Sequence, residues 1–297
     1  MTTKNRCIHK YLTVRRKIND QPPGLGDFLR GTITLFKYSQ IYGYDLFIDK
    51  NIHPFFSFLE DCQYLIADDD TNDQNVFEII PQMIYPKSYI EIDIELNRLF
   101  RSGEDFSLIT NAFYTKDTRV INNQEYFTVS NFGSINSDCK KFMKTILTPN
   151  DYTNQKLTEY YNNFNMKAET PYSVIHLRFG DKYLIEGKYD NNLLAVVNYK
   201  IATLLSSYKE KQFILLTDSS KMGQSLKENN PRLFYKENKK NHMGDLHNGN
   251  KREDIEDTVV DFFVISRASE IYSMKELFES AFSKITCLIF DIEYTMV

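Results

Sequence analysis

The amino-acid sequence predicts an α/β fold built from two successive α/β halves. Within residues 11–48, a strand, a glycine-containing turn, a helix and a second strand follow one another. A second alternation of apolar strands and helices begins at residue 172. The chain of 297 residues is 42% hydrophobic, which is enough for one large domain or two modest ones with packed cores. Alternating strands and helices are typical of sheets covered by helices.

The first half opens with the clearest signals. Residues 11–18 alternate between apolar and polar side chains, as in a strand, and residues 21–26 interrupt them with two prolines and two glycines. Apolar residues recur at helical spacing over residues 28–42, and Gly43 marks the end of the predicted helix. Residues 44–48 predict the next strand.

The middle of the chain gives weaker signals. Within residues 51–137, strand-like pieces at 88–94 and 126–129 lie among polar insertions. A helix is predicted over residues 151–164, with Asp151 near its N-cap.

The second half repeats the alternation. Its predicted elements are a buried strand over 172–178, a helix at Asn191–Ser207, a strand over 213–216, a short helix, a short strand over 233–235, a helix over 255–267, a strand at Glu270–Ser273 and a helix over 275–285. The charged segment 236–257 predicts a loop. We place the boundary near residues 165–171, which gives domains of residues 1–168 and 169–297. Because open α/β sheets bind ligands outside the carboxyl ends of their strands, we expect a ligand between the halves.

Composition and charge argue against several classes of function. The 36 Lys and Arg residues nearly balance the 40 Asp and Glu residues, so the chain lacks the basic surface that nucleic-acid binding requires. No apolar run reaches the roughly 18–20 residues of a membrane span, and residues 1–6 lead into no signal-peptide core. The four cysteines are far apart in sequence, as expected of free thiols in a reducing compartment. We therefore expect a cytoplasmic protein, in a bacterial, viral or host cytosol.

A glycine pair before the first predicted helix is a candidate ligand site. Gly24 and Gly26 allow close approach to the backbone, and the helix N-terminus near Asp27 offers free N–H groups to an anion. A dinucleotide fingerprint requires glycine where Leu29 stands, and no Gly-Lys-Ser/Thr sequence of a P-loop follows. The alternative is a tight turn without a ligand.

The segment from His176 to Asp181 gives a sharper signal. A buried strand runs directly into Arg178, Gly180 and Asp181. An arginine at the carboxyl end of a strand is well placed to bind phosphate through two parallel hydrogen bonds. Gly180 permits a turn, and Asp181 can orient Arg178 or cap the next element. The alternative is a surface loop with an Arg–Asp pair.

Two patterns that could bind a metal ion are weaker. Asp68, Asp69 and Asp70 have the Asp-x-Asp spacing that chelates Mg²⁺ or Mn²⁺, but they lie in a polar run without a flanking strand. His242 and His247 lie in a charged loop rather than on a helix, so a zinc site there is disfavoured. We therefore expect no bound metal.

Taken together, these segments resemble the fucosyltransferase superfamily, which includes the α-1,2-, α-1,6- and protein O-fucosyltransferases. Four segments carry the resemblance in the family's order: residues 22–27 and the strand over 44–49, the His-x-Arg-(Arg)-Gly-Asp pattern at 176–181, a strand ending in Thr-Asp-Ser at 213–219, and a helix headed by Asp261 that precedes Ser-x-Phe-Ser at 280–283. Phe179 replaces the second arginine, residues 274–279 form a longer segment than the α-1,2 pattern has, and no tryptophan follows Ser283. These departures leave the donor sugar, acceptor and linkage open.

The resemblance implies a GT-B-like fold with two Rossmann-like domains facing across a cleft. It implies acceptor recognition mainly in the first domain, nucleotide-sugar binding in the second, and no catalytic metal. Arg178 matches the arginine that holds the β-phosphate of the donor, and Asp261 matches an acidic residue near the nucleoside. The full set assigned to the donor is Gly24, Gly26, Asp27, His176, Arg178, Thr217, Asp218, Asp261, Ser280, Phe282 and Ser283.

The implied reaction is an inverting transfer of a sugar, with GDP-fucose as the expected donor, to a glycan or another hydroxyl acceptor. Arg178 would stabilise the leaving diphosphate. In the α-1,6 branch the carboxylate proposed as base lies eight residues beyond the arginine, which is Glu186 here; Asp181 is the second candidate. Two alternatives stay open: the same chemistry with a different nucleotide-sugar, and an inactive module that binds a glycan or nucleotide. A third, a metal-dependent GT-A transferase that uses Asp68–Asp70, is disfavoured by the polar context of these residues.

Overall fold

The computed structural model describes residues 4–11, 24–67, 76–79, 89–110, 118–121, 124–127, 135–167, 169–180, 191–237 and 252–297. The chain divides into two compact units. Unit 1 is Met1–Asn150 with His242–Ile255, and unit 2 is Asp151–Asn241 with Glu256–Val297.

Unit 1 is built on a parallel sheet of five strands in the order β3-β2-β1-β5-β4. Its elements are β1 (Arg6–His9), α1 (Leu25–Tyr42), β2 (Asp45–Asp49), a 3-10 helix (Pro54–Phe58), β3 (Leu65–Ile66), β4 (Val76–Ile79), α2 (Tyr89–Arg101), β5 (Phe106–Thr110), the antiparallel pair β6 (Thr118–Ile121) and β7 (Gln124–Phe127), and α3 (Ser137–Ile146).

Two contacts in unit 1 join residues that are far apart in the chain. Gly31 brings α1 so close to the end of β5 that a Cβ atom there would overlap the carbonyl oxygen of Thr110. Arg252 donates from Nη2 to the carbonyl oxygen of Ser57 at 3.2 Å, and its guanidinium carbon lies 4.7 Å from the centre of the Phe58 ring. Unit 1 therefore includes a segment that follows most of unit 2 in the sequence.

Unit 2 is built on a second parallel sheet of five strands, in the order β10-β9-β8-β11-β12. Its elements are α4 (Asp151–Asn162), β8 (Ser173–Leu177), α5 (Asn191–Ser207), β9 (Phe213–Thr217), α6 (Ser220–Asn229), β10 (Leu233–Phe234), α7 (Arg252–Ser266), whose first turn belongs to unit 1, β11 (Glu270–Ser273), α8 (Ala281–Phe290) and β12 (Glu293–Met296). Apolar side chains of β8, β9 and α5, such as Ile175, Leu215 and Ile201, form its buried core.

The predicted α/β class with two Rossmann-like units is confirmed, because helices alternate with parallel strands in both sheets. The boundary between the compact units lies after Asn150, earlier than the expected 165–171. Helix α4 belongs to unit 2 because it is tied to that sheet. The hydroxyls of Tyr161 and Tyr172 are 2.8 Å apart, and Tyr172 donates to the carbonyl oxygen of Val264 at 2.7 Å.

The first strand differs from the prediction. Strand β1 ends at His9, and Tyr11 lies beyond it, whereas residues 12–18 lie outside the described residues. The short apolar pair Cys7 and Ile8 forms the strand because both are buried and pair with Leu46 and Phe47 of β2. The expected glycine turn also changes, since α1 begins at Leu25 rather than Phe28 and so includes Gly26.

Two other elements were predicted wrongly. Residues 88–94 were expected to form a strand, but α2 covers this region from Tyr89 onward and buries Leu96, Leu99 and Phe100. Residues 275–285 were expected to be helical, but α8 begins at Ala281. The preceding segment is held to the sheet instead, since the N–H of Lys275 donates to the carbonyl oxygen of Val297 at 3.1 Å. Among the described helices, none has the length and apolarity needed to cross a membrane.

Candidate functional site

The carboxyl edge of the sheet in unit 2 contains the point at which the strand order reverses. From β8 the chain proceeds to β9 and β10 on one side, and then to β11 and β12 on the other. Connections that leave a sheet in opposite directions open a crevice at the carboxyl ends of the two central strands. The candidate site is therefore at the ends of β8 and β11.

Arg178 is the first residue after β8 and lies at this crevice. Its side chain is half-buried, and among the residues described it has no hydrogen-bond or ion-pair partner. A guanidinium is always charged and presents several donors in a fixed plane. Arg178 can therefore accept an anionic ligand without first breaking an ion pair with the described residues.

The turn after Arg178 is held by Asp218. The N–H groups of Phe179 and Gly180 donate to Oδ1 and Oδ2 of Asp218, each at 2.9 Å. Gly180 has φ of +72°, in the left-handed region that favours glycine. Both oxygens of Asp218, which was assigned to the donor from the sequence, thus bind the main chain. Thr217 is buried, and its Oγ1 accepts from the N–H of Ser219 at 3.2 Å.

The N-terminus of α8 contributes further polar groups to unit 2. Ser280 is the N-cap residue of this helix and is buried, yet its hydroxyl makes no hydrogen bond to any described residue. The hydroxyl of Ser283 donates to the carbonyl oxygen of Ser280 at 3.3 Å. The first N–H groups of a helix have no partner within the helix and attract anions.

Aromatic packing brings three elements of unit 2 together. The ring of Phe282, in the first turn of α8, lies 6.2 Å from the ring of His176 in β8 and 5.8 Å from the ring of Phe262 in α7. Asp261 precedes Phe262 and is buried. Burial, and then the nearby Asp261 carboxylate, raise the pKa of Tyr160 well above its usual value. His176 and Phe282, selected from the sequence, therefore pack together with Phe262, whereas the buried Asp261 carboxylate lies near Tyr160.

The predicted residues in unit 1 form the start of α1. The carbonyl oxygen of Gly24 accepts from the N–H groups of Asp27 at 3.0 Å and Phe28 at 3.1 Å, and Gly26 is buried in the first turn. The carboxylate of Asp27 lies 3.2 Å from the guanidinium of Arg30. The charge of Asp27 at the helix N-terminus is thus paired with Arg30, and the donor-binding roles of Gly24, Gly26 and Asp27 stay predictions.

The carboxyl edge of the sheet in unit 1 holds charged residues that the sequence analysis missed. Nζ of Lys10 lies 3.6 Å from Oδ2 of Asp49, and these side chains are only 11% and 4% exposed. Beside them, Nε2 of His9 lies 3.1 Å from the carbonyl oxygen of Thr110. Burial lowers the pKa of His9 to about 4, against the opposing effect of that hydrogen bond. A cation directly after the first strand could have indicated this pair, had the strand been placed correctly.

Several predicted residues lie outside the described residues. They are the catalytic candidates Asp181 and Glu186 and the weighed metal ligands Asp68, Asp69, Asp70, His242 and His247. Their roles stay predictions.

The fold of this chain is similar to that of solved structures. No protein-family model matches the chain, and no curated protein matches it by sequence. Among solved structures, fucosyltransferase NodZ from Bradyrhizobium superposes with a TM-score of 0.54 at 15% identity, over 97% of this chain and 94% of that chain. The apo-form of POFUT1 superposes with a TM-score of 0.56 at 11% identity, over 100% of this chain and 99% of that chain. The chain has the fold of these fucosyltransferases. The resemblance predicted from the sequence segments is confirmed at this level, including its GT-B-like class.

Proposed function

We propose that the chain is a glycosyltransferase that transfers fucose from GDP-fucose to a hydroxyl group of a glycan or another acceptor. The observation that carries the proposal is Arg178, a half-buried cation at the switch point of unit 2 without an ion pair to the described residues. The fold likeness supports the choice of donor. A NodZ alpha-1,6-fucosyltransferase structure soaked with GDP-fucose has a TM-score of 0.51 at 15% identity, and a POFUT1 complex with GDP-fucose has 0.51 at 9%.

The donor diphosphate would bind between Arg178 and the N-terminus of α8. The guanidinium would form two parallel hydrogen bonds to phosphate oxygens. The hydroxyl of Ser280 and the first N–H groups of α8 would supply further donors, since the hydroxyl makes no hydrogen bond within the described chain. Asp261 would accept hydrogen bonds from the nucleoside. These groups would stabilise the charge that develops on the leaving diphosphate, so no divalent ion is assigned.

The transfer step is a single displacement. The acceptor oxygen forms a bond to the anomeric carbon while the bond from that carbon to the diphosphate oxygen breaks, and GDP leaves with the electron pair. The acceptor proton passes to a carboxylate, which we assign to Glu186, with Asp181 as the second candidate. Attack opposite to the leaving group inverts the anomeric centre.

A donor panel tests the proposed function. We expect GDP and GDP-fucose to raise the melting temperature of the full chain more than UDP or CMP do. A ligand at 100 times its dissociation constant adds about 2.7 kcal/mol to the free energy of unfolding, which is readily measured. The GDP effect and any turnover should persist in EDTA. A larger shift with UDP would indicate a UDP-sugar as the donor instead of GDP-fucose. Activity that is lost in EDTA and restored by Mn²⁺ would contradict the metal-independent mechanism.

The base assignment has its own test. Glu186→Gln should lower kcat by roughly 10²–10⁴-fold, which is the usual contribution of a general base. GDP affinity should stay unchanged, because the proton acceptor acts in the transition state rather than in nucleotide binding. Wild-type turnover in this variant would exclude Glu186, and the same measurement on Asp181→Asn would then follow.

A further inference from the structure

We propose that Asp218 and Phe278 are positioning residues that fix the main chain around Arg178 and act on the donor only through the Arg178 guanidinium. This inference rests on the proposed function for the identity of the anion. It changes the role that the sequence gave to Asp218, which was direct contact with the donor. It also gives a role to Phe278, which the sequence analysis did not select.

Asp218 is placed by the sheet to hold the turn. Leu177 pairs with Thr217 in the parallel register of β8 and β9, so Arg178 and Asp218 leave neighbouring strands at the same level. The two carboxylate oxygens each accept one N–H, from Phe179 and Gly180. Hydrogen bonds to a charged acceptor are stronger than those between neutral groups. Direct contact of this carboxylate with a diphosphate would place like charges together, which is unfavourable.

Phe278 holds the other side of the same segment. Its N–H donates to the carbonyl oxygen of Arg178 at 3.2 Å. Its ring covers Gly180, since a Cβ atom added at Gly180 would lie 2.8 Å from Cδ2 of the ring. Phe278 lies in residues 274–279, the segment that is longer here than in the α-1,2 pattern. Phe278 is 47% exposed, so this contact with Gly180 lies at the surface of the site.

These contacts fix the main chain on the carboxyl side of Arg178. Its carbonyl group and the next two N–H groups are bound by residues that follow β9 and β11. When an anion binds, only the side-chain torsions of Arg178 then have to become ordered, because the main chain is already fixed. Because ordering a flexible group opposes binding, a fixed main chain increases affinity for the anion.

A double-mutant cycle on GDP binding tests Asp218. Asp218→Asn turns an NH₂ group toward one of the two N–H donors, and we expect about 10-fold weaker GDP binding. In the Arg178→Ala background the same change should have no further effect, because coupled residues are not additive. Glu228→Gln on the exposed surface of α6 is the matched control and should bind GDP as the wild type does. If Asp218→Asn weakens binding equally with and without Arg178, Asp218 contacts the donor itself and the proposal is overturned.

Amide hydrogen exchange separates this proposal from the proposed function. Of the N–H groups of Phe179 and Gly180, the one that faces the NH₂ group in Asp218→Asn should exchange at least 10-fold faster than in the wild type, without any ligand. If wild-type protein binds no GDP but this difference is present, the proposed function fails while the hydrogen bonds from Asp218 stand. If both amides exchange equally in the two proteins, Asp218 does not hold the turn and the proposal is overturned.

Two further variants test Phe278. Phe278→Ala keeps the N–H but removes the ring from Gly180, and we expect roughly 3-fold weaker GDP binding because the turn is less restricted. Tyr199→Ala removes an exposed ring of α5 and is the control. Gly180→Ala should bind GDP more weakly than Phe278→Ala, and the double variant should recover part of that loss because the overlap with the ring is gone. Wild-type affinity in both single variants would overturn the role of Phe278.

Discussion

The two sheets place a cation at the same topological position and use it differently. Strand β1 is flanked by β2 and β5 and is followed by Lys10, whereas β8 is flanked by β9 and β11 and is followed by Arg178. Lys10 is buried against Asp49. Arg178 is half-buried and has no ion pair with the described residues.

This is the difference that we expect between a structural charge and a charge that binds a ligand. A buried ion pair is neutralised inside the protein, and loss of one partner leaves an isolated buried charge. A cation held in place by its main chain, with no counter-ion among the described residues, can instead neutralise a bound anion. Sequence position alone does not distinguish the two, since each cation follows a short apolar strand.

The largest expected effect on stability comes from Lys10. Lys10→Met leaves the Asp49 carboxylate buried, so we expect a loss of about 3–5 kcal/mol in the free energy of unfolding. Lys50→Met is the matched control, because Lys50 pairs with Asp61 at the surface, where such pairs contribute about 0–1 kcal/mol. Chemical denaturation measures both. Equal losses in the two variants would contradict the structural role of Lys10.

For Arg178 we expect a large loss of activity and a small loss of stability, the reverse of what we expect for Lys10. Arg178→Ala should lower kcat/KM by roughly 10²–10³-fold, or about 3–4 kcal/mol of transition-state stabilisation, with little change in unfolding free energy. Arg178→Lys should also lose most GDP affinity, because an ammonium group cannot form the two parallel bonds of a guanidinium. Steady-state kinetics and calorimetry measure these effects. A variant that unfolds easily but binds GDP normally would assign Arg178 to the fold instead.

His9 makes the stability of the protein depend on pH. Its folded pKa of about 4 lies below the ordinary value of 6.5, so the unfolded chain takes up a proton first as pH falls. Stability should therefore decrease from pH 6.5 to 4, by at most about 3 kcal/mol from this group. Carboxylates with a lowered pKa, such as Glu270, also change stability with pH, but they do so equally in the wild type and in the His9 variant. His9→Gln should flatten the pH profile of unfolding between these limits, and an unchanged profile would contradict the assignment.

The smallest expected difference concerns one glycine in each unit. Gly31→Ala would press a methyl group into the backbone carbonyl of Thr110, and Gly223→Ala would press one into the ring of Tyr235. Overpacking costs about 1–3 kcal/mol, and the backbone can move less than a side chain can. We expect Gly31→Ala to lie at the upper end of this range and Gly223→Ala at the lower end. The reverse order in thermal denaturation would show that α1 adjusts more easily than Tyr235.

Elements with one clear periodicity could be predicted from the sequence. Helix α5 at Asn191–Ser207 and strand β11 at Glu270–Ser273 have the predicted bounds. The error at 88–94 arose because Ile90, Ile92 and Ile94 alternate with acidic residues, although the buried positions that follow are at helical spacing. Local alternation cannot show which neighbour covers a segment, and tertiary packing decided the outcome.

Candidate site residues could be selected where chemistry follows a strong strand signal. Arg178 was selected because a cation comes directly after an apolar run, and Ser280, Phe282 and Asp261 because they match the resemblance. Lys10 was missed because the first strand was placed too late in the chain. The role of Asp218 was not predictable, because its partners are main-chain N–H groups, which every residue except proline possesses.

The contact of Arg252 with Ser57 has a consequence for synthesis on the ribosome. Unit 1 includes residues 242–255, which are translated after residues 151–241 of unit 2. At 5–20 residues per second, about 5–20 s separate the synthesis of Asn150 from that of Arg252. During this interval the nascent chain lacks the guanidinium that lies over Phe58. Unit 1 is therefore incomplete until most of unit 2 has been synthesised, and a fragment ending at Asn150 lacks a contact of the finished unit.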